Sequence, residues 1–328
     1  MKLTTGLNPY GLTYYLGIQA LGTPRANPTG GAGLEGFIKV TEELGGKAIE
    51  LWEGWLKPMS DAELAALRAR LDQLGWKRVL SSGLQHGDVD FLIRAAKALG
   101  ATYIRFALTP ILCGDRAAAG PRWFELLASV REKLERYAPM AEAAGVVLLI
   151  ENHQDFTSRE LVGFCDEFGP AVRIVFDMAN TFPVAESPLD FARVIAPYVR
   201  HCHLKDYRVQ FTDEGIRLVR CPSGDGCVPF KEMFEILGQH NDEMIACIEI
   251  GALEARHVKL LTPAWWHGYP PKPAEELAAC LLAARRNRIP DDAEWRTPWE
   301  RNADHELVDY ELGQYRRSAE NLKALGLM

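Results

Sequence analysis

Short apolar segments rich in β-branched residues alternate with longer amphipathic segments along most of this chain. Continuous apolar runs of this kind are typical of strands buried on both faces of a parallel sheet. The longer segments predict crossover helices, such as one over 121–144 that Gly145 ends. The pattern predicts eight strands, in Leu12–Gln19, Ala48–Trp52, Trp76–Leu80, Thr102–Leu108, Val146–Ile150, Arg173–Phe176, Val199–Leu204 and Ile245–Ile250.

Eight strands in βα alternation predict an α/β protein, specifically a (β/α)8 TIM barrel, which we place at residues 1–288. One irregularity is Phe211–Val219, whose alternation predicts a small hairpin after the seventh strand. Residues 289–328 form a C-terminal helical extension with a last helix at His305–Leu325. We expect this extension to bury its aromatic side chains against the barrel or a sister subunit.

Charge and cysteine usage narrow the class of protein. The 328 residues carry a formal net charge of −7, whereas proteins that track nucleic-acid phosphates normally have a basic face. The sequence contains no apolar run of bilayer length and no signal-type apolar core at its start. Seven cysteines are scattered without a CxxC pair, which favours reduced thiols. We therefore expect a cytoplasmic protein with no nucleic-acid and no membrane partner.

Four predicted strands end in side chains that can bind a metal: Glu151, Asp177, His203 and Glu249. Any one of them, taken alone, could equally be a helix cap or a surface charge. Together they end strands five to eight, which are neighbours around a closed barrel, and the C-terminal strand ends form the active face of that fold. Three carboxylates and one imidazole suit a single Mn²⁺ or Mg²⁺ ion, and Co²⁺ or Zn²⁺ are compatible with the same set.

The motifs around these residues resemble the xylose-isomerase-like TIM barrels, and most closely the sugar phosphate isomerase/epimerase group. They are Glu151-Asn152-His153, Phe176-Asp177-Met178-Ala179-Asn180, His203-Leu204-Lys205-Asp206, Pro222-Ser223-Gly224-Asp225-Gly226 and Ile248-Glu249. The resemblance implies that the four strand-end residues hold one divalent ion. It also implies that Glu151 and Glu249 move the substrate proton, as in the epimerases of the group, and that the protein is a homo-oligomer.

Two positions depart from the ketose 3-epimerase pattern. Asn180 stands where those enzymes have a histidine three residues after the metal aspartate, and Arg208 matches their arginine only approximately. Side chains near the strand ends and loops are candidates for substrate contact, with surface, capping or packing roles as the alternatives: His153, Asn180, Lys205, Asp206, Arg208, His86 and Trp265.

The leading hypothesis is a metal-dependent isomerase or epimerase that removes a proton beside the carbonyl of a keto sugar or sugar derivative. A lyase that dehydrates or decarboxylates a 3-oxo sugar acid or an inosose-like substrate uses the same enolate and remains an alternative. An AP-endonuclease-like hydrolase would need a histidine at position 180 and a basic groove. A non-catalytic sugar-binding barrel would not need both Glu151 and Glu249. The expected partner is a small sugar or sugar acid.

Overall fold

The computed structural model describes residues 1–251 and 253–328. Its strands, in chain order, are β1 Lys2–Leu7, β2 Ala48–Trp52, β3 Lys77–Gly83, β4 Tyr103–Ala107, β5 Val147–Glu151, β6 Val172–Asp177, β7 Val199–Leu204, β8 Asp206–Thr212, β9 Gly215–Cys221, β10 Glu243–Ile248 and β11 Arg256–Val258. Its α-helices are α1 Gly33–Glu43, α2 Glu53–Leu56, α3 Asp61–Gln73, α4 Val89–Leu99, α5 Arg116–Ala119, α6 Arg122–Ala144, α7 Ser158–Phe168, α8 Pro188–Ile195, α9 Phe230–Gly238, α10 Ala274–Ala284 and α11 Leu307–Ala324.

Strands β1 to β7 and β10 close into a barrel in the order β1-β10-β7-β6-β5-β4-β3-β2, and all neighbours pair in parallel. The predicted (β/α)8 TIM barrel is confirmed. Because every strand runs the same way, all the C-terminal strand ends open on one face. The apolar residues of the strands pack against the surrounding helices in one continuous core.

The first barrel strand is Lys2–Leu7, and the prediction of a strand at Leu12–Gln19 is wrong. The β1 sequence, Lys-Leu-Thr-Thr-Gly-Leu, is short of apolar residues and contains a glycine, which weakens a strand signal. That glycine is required by close packing, because a Cβ atom on Gly6 would lie 1.8 Å from the carbonyl oxygen of Ala48 in β2. Residues 12–17 form turns instead.

A small sheet of β8, β9 and β11 lies outside the barrel order. Strands β8 and β9 form the hairpin predicted from sequence, closed between Thr212 and Gly215, and β11 adds to β9 in antiparallel fashion. The hairpin follows β7 after one residue, Lys205, so it rises directly from the face where the barrel strands end. This position brings residues of the small sheet next to the catalytic face of the fold.

Helix α11 packs against the loop that follows β1. The Tyr315 hydroxyl donates a hydrogen bond of 2.6 Å to the carbonyl oxygen of Asn8, and the Glu311 carboxylate accepts from the backbone N–H groups of Tyr14 and Tyr15. Ahead of the helix, the Arg25 guanidinium lies 3.4 Å from the ring centroid of Trp299. Among residues 1–251 and 253–328, none of the helices combines the length and apolarity of a bilayer span.

Candidate metal centre

The four strand-end residues predicted from sequence come together at the open face of the barrel. Ligand atoms of Glu151, Asp177, His203 and Glu249 all lie within 4.8 Å of one another, and all four residues are buried. Glu151 and Asp177 end β5 and β6, His203 pairs with Asp177 in β7, and Glu249 directly follows β10. Parallel pairing of neighbouring strands therefore brings together residues that are almost a hundred positions apart in sequence.

Asn152 and Asn180 fix the position of Asp177. Asn152 accepts a 2.7 Å hydrogen bond from the Asp177 backbone N–H and donates one of 2.8 Å to its carbonyl oxygen. The Asn180 side-chain amide donates to Asp177 Oδ2 at 2.7 Å and accepts from the Tyr207 hydroxyl at 3.0 Å. These bonds make Asn180 a support for the Asp177 carboxylate, and its predicted contact with substrate stays a prediction.

Glu50 orients the His203 imidazole from across the barrel interior. His203 Nε2 lies 2.8 Å from Glu50 Oε2, and the same oxygen lies 3.0 Å from His201 Nε2. His203 Nδ1 then faces the carboxylates, 3.3 Å from Glu151 and 2.8 Å from Glu249. A histidine that holds a metal through one nitrogen commonly donates its other N–H to a carboxylate, which fixes the ring. Glu50, His201 and His203 also lie close enough to form a metal site, but their hydrogen bonds suit this supporting role better.

The donor set fits a divalent cation. Glu249 Oε2 is buried and accepts no hydrogen bond from the described residues, although His203 Nδ1 lies 2.8 Å away. Three buried carboxylates in one cluster require positive charge, because each is removed from water. Lys205 supplies part of it, with Nζ at 2.5 Å from Asp177 Oδ2 and 2.7 Å from Glu249 Oε1. Oxygen donors with one imidazole suit Mg²⁺ or Mn²⁺ and are also compatible with Zn²⁺.

The acids of the cluster differ in protonation. Burial raises the pKa of Asp177 to about 7 although Lys205 opposes the rise. Burial also acts on the two glutamates, yet Arg105 and His153 bring the pKa of Glu151 down to about 2, and Lys205 and His203 hold that of Glu249 well below its ordinary value. Both glutamates are therefore ionised at neutral pH, but the same cations make them weak bases, so either one takes a proton from a substrate only when substrate binding raises its pKa.

A cavity of about 420 Å³ lies over the centre and is lined by Glu249, Lys205, Arg105 and His153, among others. Burial lowers the pKa of His153 to about 4, so its imidazole is neutral at physiological pH. Its Nδ1 has no hydrogen-bond partner among residues 1–251 and 253–328. Three of the predicted substrate-contact residues line this cavity: His86, His153 and Lys205.

Three other residues predicted to contact substrate, Asp206, Arg208 and Trp265, are not among the residues that line this cavity. The Asp206 carboxylate accepts four backbone N–H bonds of 2.9–3.0 Å, which fold the 222–228 loop. Arg208 is exposed on the hairpin. Trp265 is buried, donates to the carbonyl oxygen of Cys113 at 2.9 Å and stacks on Tyr269.

Arg105 and Glu50 were not among the site residues predicted from the sequence. Arg105 lies in the middle of β4, is 4% exposed and pairs with the Glu151 carboxylate. Its guanidinium also lies 5.2 Å from the Tyr10 ring centroid. The available signal was a charged residue within a strand that is otherwise apolar, since charged residues are almost never fully buried unless they are paired. The same signal marks Glu50 in β2.

Two curated relatives match part of the chain. The uncharacterised protein YihM of Escherichia coli (strain K12) is 26% identical over 177 residues, which cover 53% of this chain and 52% of that protein. The inosose dehydratase of Clostridium beijerinckii is 29% identical over 153 residues, covering 41% and 49% respectively. The chain thus spans about half the length of the curated relatives it matches.

Solved structures share the fold. The probable 3-DHS dehydratase AsbF from Bacillus anthracis superposes with a TM-score of 0.55 at 14% identity, covering 88% of this chain and 100% of that one. A D-psicose 3-epimerase, crystallised in the presence of D-fructose, gives a TM-score of 0.51 at 21% identity, covering 76% and 92%. A xylose isomerase-like TIM barrel protein from Mycobacterium smegmatis, in complex with magnesium, gives 0.50 at 18% identity, covering 84% and 87%.

The sequence model of one family, described as xylose isomerase-like TIM barrel, matches residues 38–281, which is most of the chain. Relatives and structural neighbours of this fold are sugar epimerases, isomerases and dehydratases. The match includes β2 to β7 and β10, and with them all four strand-end residues of the candidate metal centre. This chain belongs to the xylose-isomerase-like TIM barrel family.

Proposed function

We propose that this protein is a divalent-metal-dependent isomerase or epimerase, which removes a proton from the carbon beside the carbonyl of a keto sugar or sugar derivative. The observation that carries the proposal is the convergence of Glu151, Asp177, His203 and Glu249 within 4.8 Å beneath a cavity. A divalent cation at this place would act as a Lewis acid that makes the neighbouring C–H more acidic. Membership in a family with sugar-processing enzymes supports the same class of substrate.

Glu151 and Glu249 are the proposed proton-transfer groups. They come from β5 and from the residue after β10, which are separated by β6 and β7 around the barrel. Glu249 lines the cavity itself, and Glu151 pairs with Arg105, which lines it. Arg105 keeps Glu151 ionised, and Lys205 does the same for Glu249. One carboxylate would take the proton and the other would return one, which is the requirement for epimerisation.

Cationic and neutral donors around the cavity would orient the substrate. Lys205 Nζ can donate to a substrate hydroxyl or carbonyl oxygen, and the free Nδ1 of His153 can exchange a hydrogen bond with one. Tyr10 and Trp52 line the cavity as well and offer flat apolar surface to the C–H face of a sugar ring.

A lyase of the same fold is the second candidate, and two observations favour it. Asn180 is bonded to Asp177 and Tyr207, and Arg208 is exposed, and neither of these two positions that depart from the epimerase pattern lines the cavity. Lys205 is a buried ammonium in the cavity wall and can donate a hydrogen bond to a departing hydroxyl. Asp177 and Glu249 outweigh the effect of burial and raise the pKa of Lys205, so this ammonium would stabilise negative charge on the leaving oxygen rather than give up its proton. A dehydratase needs one proton acceptor and one hydrogen-bond donor to the leaving oxygen rather than two acceptors.

Proton NMR in D₂O separates these reactions. Protein loaded with Mn²⁺ would be incubated with a panel of keto sugars and 3-oxo sugar acids, and the products followed after quenching and removal of the metal. Deuterium at one carbon with inversion or carbonyl transfer supports the isomerase, and loss of water or CO₂ supports the lyase. Absence of C–H exchange and of elimination across the panel, with metal content verified, would contradict both.

A further inference from the structure

Two arginines of the small sheet reach the cavity that holds Glu249 and Lys205. Arg220 lies near the end of β9, and Arg256 begins β11, where it pairs with Leu218 of β9. Both side chains line the same cavity as Glu249 and Lys205. A Cβ atom added to Gly251 would lie 3.2 Å from Arg220 Nε, so this guanidinium passes beside the chain two residues after Glu249.

The guanidinium groups retain unused donors. Arg220 is only 8% exposed, and its Nη1 donates to the carbonyl oxygen of Glu254. Arg256 Nη1 donates to Glu254 Oε1 at 2.6 Å. Yet the Nε–H groups of Arg220 and Arg256 are both buried without a hydrogen-bond partner among residues 1–251 and 253–328. Buried charged donors are rarely left unpaired in a finished site, so these atoms point to a ligand.

The charge around these arginines is also unbalanced. The other two cationic side chains of the cavity are paired, Arg105 with Glu151 and Lys205 with Asp177 and Glu249. Within the described part of the chain, Arg256 pairs with the Glu254 carboxylate, whereas Arg220 donates only to the Glu254 backbone carbonyl oxygen and has no carboxylate partner. The unpaired positive charge is therefore at Arg220, whereas the other end of the cavity, where Lys205 lies between Asp177 and Glu249, has an excess of negative charge. The local field at Arg220 attracts an anion and disfavours a cation.

We propose that Arg220 and Arg256 form an anion subsite that binds an acidic group of the substrate, a carboxylate or a phosphate, so that the substrate is a sugar acid or a sugar phosphate. This inference rests on the proposed function, which places the reacting carbon near Glu249. Guanidinium groups bind such oxyanions through paired N–H donors in a planar fork. A cavity of about 420 Å³ accommodates one small acid that spans from the metal centre to the arginines.

Direct binding to probes of known charge tests the subsite without requiring turnover. The probes are D-glucuronate, D-glucose 6-phosphate and neutral D-glucose, titrated calorimetrically into the Mn²⁺-loaded protein. We expect at least one acidic probe to bind about tenfold or more tightly than D-glucose, since charge-assisted hydrogen bonds are the stronger ones. Comparing the two acidic probes distinguishes a carboxylate subsite from a phosphate subsite.

Three substitutions to glutamine localise the effect. Arg220→Gln and Arg256→Gln should each weaken the favoured acidic probe by about tenfold, and should change the affinity for D-glucose by less than about twofold. Arg208→Gln is the matched control, because Arg208 lies on the same sheet, is exposed and does not line the cavity. It removes one positive charge from the same region and should leave all three affinities unchanged. If Arg220→Gln lowers the melting temperature strongly, the less buried Arg256 still decides the test.

Two results would overturn the subsite: acidic probes that bind no better than D-glucose, or variants of both arginines that keep the acidic affinity of the unsubstituted protein. Failure of the proposed function has a different signature. It would show as acidic probes that bind through Arg220 and Arg256 while no keto sugar or keto acid, neutral or acidic, undergoes C–H exchange or elimination. Exchange of a keto sugar, together with acidic probes that bind no better than D-glucose, would instead retain the function and remove the subsite.

Discussion

At the scale of single residues, Glu151 and Glu249 each combine two properties that a proton acceptor needs. Both are ionised at neutral pH, and both belong to the cluster beneath the cavity. Replacing either by glutamine keeps the shape and one ligating oxygen but removes basicity. We expect Glu151→Gln and Glu249→Gln to lose on the order of 10²–10⁴ in turnover of the substrate found by NMR, the usual contribution of a general base.

This comparison requires equal metal loading, because a weakened site would imitate a lost base. Metal content of each variant would be measured by atomic emission, and rates taken at saturating Mn²⁺. In a lyase, the two variants would differ, since one carboxylate takes the proton and the other only binds. Near-unchanged rates in both loaded variants would move proton transfer to His153 or Lys205, which line the same cavity.

Glu50 is the residue whose effect on the centre is indirect. It contacts His203 and His201 but is not one of the four converging residues, so its substitution should change metal affinity through the orientation of His203. We expect Glu50→Gln to weaken Mn²⁺ binding by about 10- to 100-fold, as for other carboxylates that support a metal-binding histidine. Calorimetric titration of the apoprotein measures the change.

Glu311→Gln is a matched control for that titration. It is the same substitution at another buried glutamate, which bonds to Tyr14 and Tyr15. It should alter stability but leave Mn²⁺ affinity unchanged. Equal Mn²⁺ affinities of Glu50→Gln and the unsubstituted protein would remove the orienting role from Glu50.

At the scale of elements, most barrel strands were predictable because their apolar runs are continuous, and four of them end in residues that could bind a metal. The ligands at the ends of β5, β6, β7 and β10 were found from sequence for this reason. Strand β1 was not predicted, because Gly6 and two threonines weaken the apolar pattern of this segment. The need for a glycine at position 6 arises from its close contact with Ala48, which only the structure shows. Three arginines of the cavity, Arg105, Arg220 and Arg256, were not predicted either. Their side chains reach the cavity only because the strands of the barrel and of the small sheet pair with one another, and the sequence does not show this pairing.

Helix α11 is joined to the barrel by a buried hydroxyl. Tyr315 OH lies 2.6 Å from the carbonyl oxygen of Asn8 and 3.2 Å from that of Ile248, the last residue of β10. Tyr315→Phe keeps the ring but leaves a buried carbonyl without its donor. We expect a loss of about 1–3 kcal/mol in the free energy of unfolding, measured by urea titration.

Tyr310→Phe, on the same helix, is the control for Tyr315→Phe. The Tyr310 side chain packs partly buried against the core, and its hydroxyl makes no hydrogen bond within residues 1–251 and 253–328. Its substitution should change stability by less than about 0.5 kcal/mol. If the two variants unfold at the same urea concentration, the hydroxyl of Tyr315 does not hold the helix.

At the scale of the whole molecule, metal binding and folding should be linked. The four ligands come from separate strands that meet only in the closed barrel, so the unfolded chain offers no equivalent site. Mn²⁺ at about 100 times its dissociation constant should raise the free energy of unfolding by roughly 2.7 kcal/mol. Thermal unfolding with Mn²⁺ and with EDTA measures the difference, and a His203→Asn variant should respond much less. An equal response in that variant would place the bound ion elsewhere.

Stability should also depend on pH through Glu311, where the C-terminal helix meets the loop after β1. Burial raises the pKa of Glu311 from 4.5 to about 7, although the N–H groups of Tyr15 and Tyr14 oppose the rise. Between these two pH values Glu311 holds its proton more often in the folded protein than in the unfolded chain. The contribution of Glu311 to the free energy of unfolding therefore falls as pH rises from about 4.5 to about 7. At about 1.4 kcal/mol per pKa unit, the total loss is roughly 3 kcal/mol at most.

The Glu311→Gln variant isolates this contribution, because it has no proton to lose at that position. Burial likewise raises the pKa values of Asp155 and Asp206 to about 7. Both groups titrate in the unsubstituted protein and in the variant, so their contributions cancel when the unfolding free energies of the two proteins are subtracted. Urea unfolding of both proteins at pH 5, 6, 7 and 8 should show the unsubstituted protein losing stability with pH relative to the variant, with no further relative change above about pH 8. Parallel stability curves across this range would mean that Glu311 is already ionised in the folded protein at pH 5. The two backbone N–H groups of the loop after β1 would then compensate fully for the burial of the carboxylate.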